Sequence, residues 1–303
     1  MEEKDWTGER LETFIFSENT NEHLHRYAMA MEFASRCKVL DIACGEGYGA
    51  NLLATVAESV CGVDIDAATV QHAAGKYQMP NLHFSTGSAD SIPFKDHTFD
   101  LAVSFETIEH HDRHEAMMTE LKRVLKPGGI LIISSPDKKY YSDVPGYQNP
   151  FHVAELYKAE FESLVARHFR HMRSFSQKSF YGSVVVCEDK GSDTPVKLYS
   201  GRYESINPVS WGGVYCIAIA SDEPLPVAGN SFFDGAEVLD KKMKELKDYT
   251  TGTVTEYVTE KVTERVTEKV MAETTERITG TRRYRLGSAM IRPFAYLKRI
   301  LNA

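Results

Sequence analysis

The chain reads as an α/β protein built on a mostly parallel sheet, and three observations carry that reading. Short apolar runs recur at 39–43, 59–64, 82–85, 101–105 and 130–134, with helix-like stretches between them. This alternation is the pattern of βαβ units. The first run leads into a glycine-crowded turn holding Gly45, Gly47 and Gly49. The second ends in an acid, Asp64, about 20 residues further on, the place where a carboxylate takes the hydroxyls of a ribose. With 303 residues and 42% apolar content, one sizeable α/β domain plus an appendage is expected.

In chain order, the segment before the first strand reads as a loop followed by a helix, with Leu24, Tyr27, Ala28 and Met31 on one face. Pro127-Gly128-Gly129 reads as a turn that ends a helix over 121–126 and opens the fifth strand. Past Pro136, the stretch KKYYSDVPGYQNPFHV is rich in Tyr, Pro, Asn and Gly and suits an active-site loop. AELYKAEFESLVARHF is an amphipathic helix. Two further β-like runs, 183–187 and 214–221, are separated by a polar insertion and are expected to close the sheet as an antiparallel hairpin. DEPLPVAGN is linker-like, which places the first domain at 1–222 and a linker at 223–235.

Residues 236–280 are expected to form a helical self-association segment, and 281–303 a basic amphipathic helix. Within the former, 254–270 is a four-residue repeat, VTEY-VTEK-VTER-VTEK-V. In a helix that period drifts about 40° per repeat, so the valine stripe winds around the axis. Lys261 with Glu264 and Arg265 with Glu268 then form (i, i+3) pairs. Val and Thr weaken an isolated helix, so association has to supply the missing burial and a homo-oligomer is expected. A solvated linker and a β arrangement are the other two readings. The final segment carries six Lys or Arg and no acid, with Leu286, Met290, Phe294, Leu297, Ile300 and Leu301 grouped on one side. That pattern fits an anionic membrane surface, or else docking on protein.

Net charge −8 argues against general nucleic-acid affinity. Five cysteines without a CxxC pair suggest neither a zinc ribbon nor a disulfide framework, and read as small buried hydrophobes. MEEKDW lacks an apolar stretch, so no secretory signal is expected, and no run of apolar residues is long enough to span a bilayer. A cytoplasmic protein, peripheral on the inner membrane, is the expectation.

The glycine turn and Asp64 together point to a nucleoside ligand. Gly45-x-Gly47-x-x-Ala50 fits a dinucleotide fingerprint. Asp41, at the strand-to-turn junction, would repel a pyrophosphate and attract an ammonium, and Glu46 inside the turn points the same way. A ligand with a ribose, an adenine and a cationic amino-acid tail, such as S-adenosylmethionine, suits the loop better.

GSADSIPF, FDLAVSFETIEHH and LKRVLKPGGILIISSPD follow DIACGEGYG in order. With these four motifs the chain resembles the class I S-adenosylmethionine-dependent methyltransferases. The resemblance implies a Rossmann-like, seven-stranded methyltransferase sheet, here with a C-terminal helical, coiled-coil-like extension. It places Asp41, Gly45 and Gly47 at the amino-acid end of the cofactor and Asp64 at the ribose, with Ala43 and Ile65 as further cofactor-binding residues. Ser88 and Ala89, with Asp90 beside them, fall at the adenine edge. Ser104 to Glu106 fall beside the methyl group. In the family the N-terminal helix commonly caps the cofactor, which makes Arg26 and Tyr27 candidate contacts; covering a sheet edge is the alternative.

Methyl transfer needs the acceptor positioned and its proton removed. His110 and His152 are the candidate bases, with Glu106 a third candidate catalytic residue; packing or capping is the competing role for each imidazole. Glu109 with His110-His111-x-x-His114 has the spacing of a metal cluster, but no further ligand set is visible, so no metal is expected. FETIEHH and NPFHVAELYKAEF are similar to methyltransferases of bacterial surface-polysaccharide (O-antigen) gene clusters. This implies O-methylation of a sugar or lipid-linked glycan. A small-molecule or quinone-precursor acceptor is the alternative enzyme reading, and a scaffold acting through its helical tail is the non-enzyme one.

Overall fold

The computed structural model describes residues 10–185 and 197–279, in two compact units divided between Leu239 and Asp240. The first unit runs α1 (Glu18–Ala34), β1 (Lys38–Ile42), α2 (Tyr48–Ala54), β2 (Ser59–Asp64), α3 (Ala67–Lys76), β3 (Leu82–Thr86) and β4 (Phe99–Ser104). It continues with α4 (His114–Val124), β5 (Leu125–Pro136), α5 (Lys158–His168), β6 (His171–Gln177), a small hairpin of β7 (Tyr199–Arg202) and β8 (Ser205–Pro208), and β9 (Tyr215–Ser221). α6 (Ala236–Thr279) follows.

Seven strands form one sheet in the order β3-β2-β1-β4-β5-β9-β6. β9 pairs antiparallel with β5 and β6, and every other pairing is parallel. This is the Rossmann-like methyltransferase sheet. Both faces are covered, so the strands are apolar without alternation, as buried parallel strands are. Val39 packs with Tyr27, Ala30 and Leu53 on one face, whereas Leu40 and Ile42 pack with Leu121, Phe161 and Leu164 on the other.

Three expectations need correction. The helix before the fifth strand ends at Val124, because Pro127 disfavours helical geometry in the residue before it. Pro127-Gly128-Gly129 is therefore inside β5, absorbed where the register shifts between Phe99 and Leu101. β9 pairs with β5 and β6, and of the expected run at 183–187 the last two residues lie outside the described residues. β6 follows α5 after only Phe169 and Arg170, so it reaches the sheet first; Val184 and Val185 stay 46% and 96% exposed and lie outside any strand. On α1 the buried face is Glu22, Arg26, Tyr27, Ala30 and Ala34; Ala28 is exposed, and Leu24 and Met31 are half-buried. Its inner face is thus partly charged, a sign of function rather than of core packing.

Cys44 and Cys216 are buried as expected, but Cys37 and Cys61 are only half-buried. The 222–235 segment has no regular structure, yet Ser231 and Phe233 lie against His25 of α1. In the second unit the repeat is helical throughout. Its valines, Val254 to Val270, remain about half exposed, and Lys261 pairs with Glu264 at 2.9 Å. The expected 281–303 helix lies outside the described residues.

Candidate active site

β1 connects outward to β2 on one side and neighbours β4 on the other, so the sheet switches direction between β1 and β4. Open α/β sheets bind ligands in the crevice at the carboxyl ends of such strands. Both loops that leave this crevice are strained. After β1, Ala43, Gly45 and Gly47 have φ of 58°, 53° and 91°; after β4, Glu106 has φ of 52°. Left-handed backbone at non-glycine residues such as Ala43 and Glu106 persists where the surroundings enforce it, and it concentrates at functional sites. Gly47 has no room for a side chain: a Cβ there would lie 2.8 Å from the Phe84 ring. Gly49 lets Tyr27 pass, since a Cβ would meet its ring at 1.8 Å.

Asp41 is 1% exposed and accepts a hydrogen bond from Tyr27 Oη at 3.2 Å. Burial, with a smaller contribution from Asp64, pushes its carboxyl up to about 7, against the opposing pull of the Tyr27 hydroxyl. A buried carboxyl poised near neutrality is matched by a cationic ligand group, which would restore its charge. Asp64 is 4% exposed and organised by Gly45 N at 2.9 Å and Asp66 N at 3.0 Å. The crevice therefore presents one carboxylate at the end of β1 and another at the end of β2, around a glycine loop. That set fits the ammonium and ribose ends of S-adenosylmethionine.

Sequence reasoning missed the segment ahead of α1. Arg10 donates to Asp64 Oδ1 at 3.3 Å and reaches Asp66 and Thr69. Thr13 donates its N–H and its hydroxyl to Glu46, each at 3.0 Å, and Lys76 ion-pairs with Glu46. Glu46 is thus spent on an N-terminal strap, so the case against a pyrophosphate rests on Asp41. Glu12, 4% exposed beside Glu46, is pushed up to about 7 by burial and by that neighbour. The basic signal in the sequence was Arg10 itself, of opposite sign to the Asp64–Asp66 pair.

Ile65, beside Asp64, is 69% exposed. Ser88 hydrogen-bonds Asp90, which also pairs with Arg113, and Ala89 packs on the core. Ser104 Oγ is buried without a hydrogen-bond partner at the end of β4. Tyr27 of α1 is held by Asp41, whereas Arg26 is held through Nε while Nη1 and Nη2 have no hydrogen-bond partner. Arg26, 1% exposed, donates to Gln177 at 2.7 Å, lies 3.3 Å from Glu106 Oε1 and stacks 4.5 Å above Tyr215. Glu106 also accepts from Ser134 Oγ at 2.6 Å, which fixes the position of its carboxylate.

The candidate histidines do come together. His110 ends a one-turn helix, Ile108–His110, and His152 is brought beside it by the 149–155 loop, with ring centroids 5.2 Å apart. Glu109 O accepts from Val153 N and Ala154 N, stapling that loop to the end of β4. His114, the partner expected from spacing, instead packs its ring against His111.

Sheet order, crevice and the acidic pair fit the Rossmann-like methyltransferase fold, and the chain is similar to S-adenosylmethionine-dependent methyltransferases. Residues 40–133 match the methyltransferase domain family. A probable S-adenosylmethionine-dependent methyltransferase of Mycolicibacterium smegmatis is 38% identical over 165 residues, 52% of this chain and 62% of that protein. A fatty-acid O-methyltransferase of the same species is 26% identical over 145 residues, 45% of this chain and 52% of that protein. The chain thus spans less than two thirds of either relative. The solved YcgJ protein of Bacillus subtilis is 19% identical with a TM-score of 0.48, covering 67% of this chain and all of that one.

Proposed function

We propose that the protein transfers a methyl group from S-adenosylmethionine to an oxygen of an amphipathic acceptor, a lipid-linked glycan in the first instance. The observation that carries the transferase reading is the pairing of buried Asp41 with Asp64 around the strained glycine loop. S-adenosylmethionine, when bound, supplies a methyl on a cationic sulfur. The protein's own part is to fix the acceptor oxygen in line with that methyl and to let its proton leave. His110 and His152, one strand away from the glycine loop, are the groups placed to handle the acceptor oxygen.

An amphipathic acceptor is supported by a cavity of about 1080 Å³ beside α1. Met29, Phe175, Trp211 and Phe232 give it an apolar wall, and Glu22 and Arg26 give it a polar end. Arg26 joins that cavity to Glu106. No described helix is long and apolar enough to cross a membrane; membrane contact is assigned to the basic 281–303 segment, and oligomerisation to the 254–270 repeat. A second reading, a lipid acceptor without sugar, is favoured by the relative named a fatty-acid O-methyltransferase. Transfer of labelled methyl to lipid-linked glycans, compared with fatty acids and quinone precursors, separates the two. Labelling of none of these would remove the amphipathic acceptor.

A further inference from the structure

Glu109 is 1% exposed, and neither oxygen of its carboxylate has a hydrogen-bond partner. An ionised carboxylate in that position is costly unless it is protonated or met by a cation. Burial and the neighbouring Glu106 and Glu155 push its carboxyl well above the usual range. Arg26 offsets this only in part, and its ion pair is with Glu106.

Two imidazoles converge on the same place, and their tautomers can be deduced. His110 Nδ1 lies 3.0 Å from Phe151 O; a carbonyl only accepts, so Nδ1 carries the proton and Nε2 presents a lone pair. His152 Nδ1 lies 2.6 Å from Glu155 Oε1, which likewise places a proton on Nδ1. Phe151 N donates to Asn149 Oδ1 at 3.0 Å, which turns the Asn149 amide nitrogen toward His152 Nε2, also at 3.0 Å. His152 Nε2 is thus an acceptor. One ligand atom each from Glu109, His110 and His152 lies within 4.8 Å of the others.

We propose that Glu109, His110 and His152 bind a divalent first-row transition cation, such as Mn²⁺, Co²⁺ or Zn²⁺. Two neutral imidazoles and one carboxylate, each imidazole fixed by a hydrogen bond from its far nitrogen, form a three-ligand set that leaves coordination positions open. The cation takes the His152 lone pair from the Asn149 amide, which keeps its contact with Tyr141 Oη. It also supplies the charge that the buried Glu109 lacks. A cation there would have open positions with which to hold and polarise an acceptor oxygen, and the histidines would serve as ligands rather than as the base. The site revises the expectation of no metal; spacing along one helix suggested His114, and the fold supplies His152 instead.

The role of the cation rests on the methyltransferase reading, but its binding is measured without cofactor, so failure here leaves donor binding untouched. Full-length protein stripped with a chelator is titrated with Mn²⁺, and free Mn²⁺ is read by electron paramagnetic resonance. The expected result is one equivalent bound, weakened at least about tenfold by Glu109→Gln, His110→Ala or His152→Ala and unchanged by Glu58→Gln, an exposed residue at the opposite, amino end of β2. Glu109→Gln removes a buried carboxylate without donors and so keeps the fold, which circular dichroism checks. Absence of binding below millimolar Mn²⁺, or binding unaltered in the folded ligand variants, would overturn the proposal.

Discussion

Replacing Asp41 with Asn should stabilise the unliganded protein while destroying its affinity for S-adenosylmethionine. The carboxyl is raised from about 3.8 to about 7, chiefly by burial. A carboxyl whose folded pKa is raised binds its proton more tightly in the folded state. Its penalty on stability is therefore absent below the unfolded value near 4, grows as pH rises and is complete above about 7. At about 1.4 kcal/mol per pH unit, the penalty at pH 8 reaches at most about 4 kcal/mol, and 2–4 kcal/mol is the expected gain for Asp41→Asn. At pH 5 the gain should be less than half as large. Asn keeps an acceptor for the Tyr27 hydroxyl, so the packing is retained. Urea unfolding at pH 5 and pH 8 measures the difference. Affinity runs the other way: in the wild type, S-adenosylmethionine should bind about tenfold more weakly at pH 6 than above pH 7, because only ionised Asp41 attracts its ammonium. Above about pH 8 the ligand's own amino group loses its charge and the gain stops. A variant no more stable than wild type at pH 8, or wild-type affinity that is flat from pH 6 to 7.5, would refute the reasoning.

The remaining predictions concern the edges of the site. Arg26→Met leaves the Glu106 carboxylate without its guanidinium and should cost about 3–5 kcal/mol in urea unfolding, as removal of one partner of a buried pair does; a loss under 1 kcal/mol would show that Arg26 is dispensable. Glu12, pushed up to about 7 beside Glu46, ionises as pH rises from 6 to 8 and should loosen the strap at 10–16. Limited proteolysis there should quicken over that range and stay slow in Glu12→Gln. Deleting 254–270 should lower the mass seen by light scattering, and removing 281–303 should release the protein from anionic vesicles; an unchanged mass, or full-length protein that never sediments, would remove the corresponding assignment.

The sequence was legible where chemistry and burial coincide. Buried parallel strands are continuous apolar runs, so β1, β2 and β4 announced themselves, and Asp41 and Asp64 stood out as acids at their ends. β6 did not, because an edge strand such as HMRSFSQ needs no apolar run; only its position next to β9 makes it a strand. The charged inner face of α1 was missed for a related reason. Periodicity selects Leu24 and Ala28, whereas Glu22 and Arg26 are buried by partners from β6, β9 and the loop after β4, far away in sequence. The Glu109–His110–His152 cluster is half local and half long-range. Spacing shows the first two residues, but only the loop stapled by Glu109 O brings in the third.

The central claim is that the crevice between β1 and β4 holds S-adenosylmethionine, and calorimetry of the full chain with that ligand at pH 7.5 tests it most directly. One molecule should bind in the micromolar range, and Asp64→Ala, which removes the carboxylate organised by Gly45 and Asp66, should abolish the heat signal. Wild-type protein that gives no heat, or an Asp64→Ala variant that binds as tightly as wild type, would contradict the account.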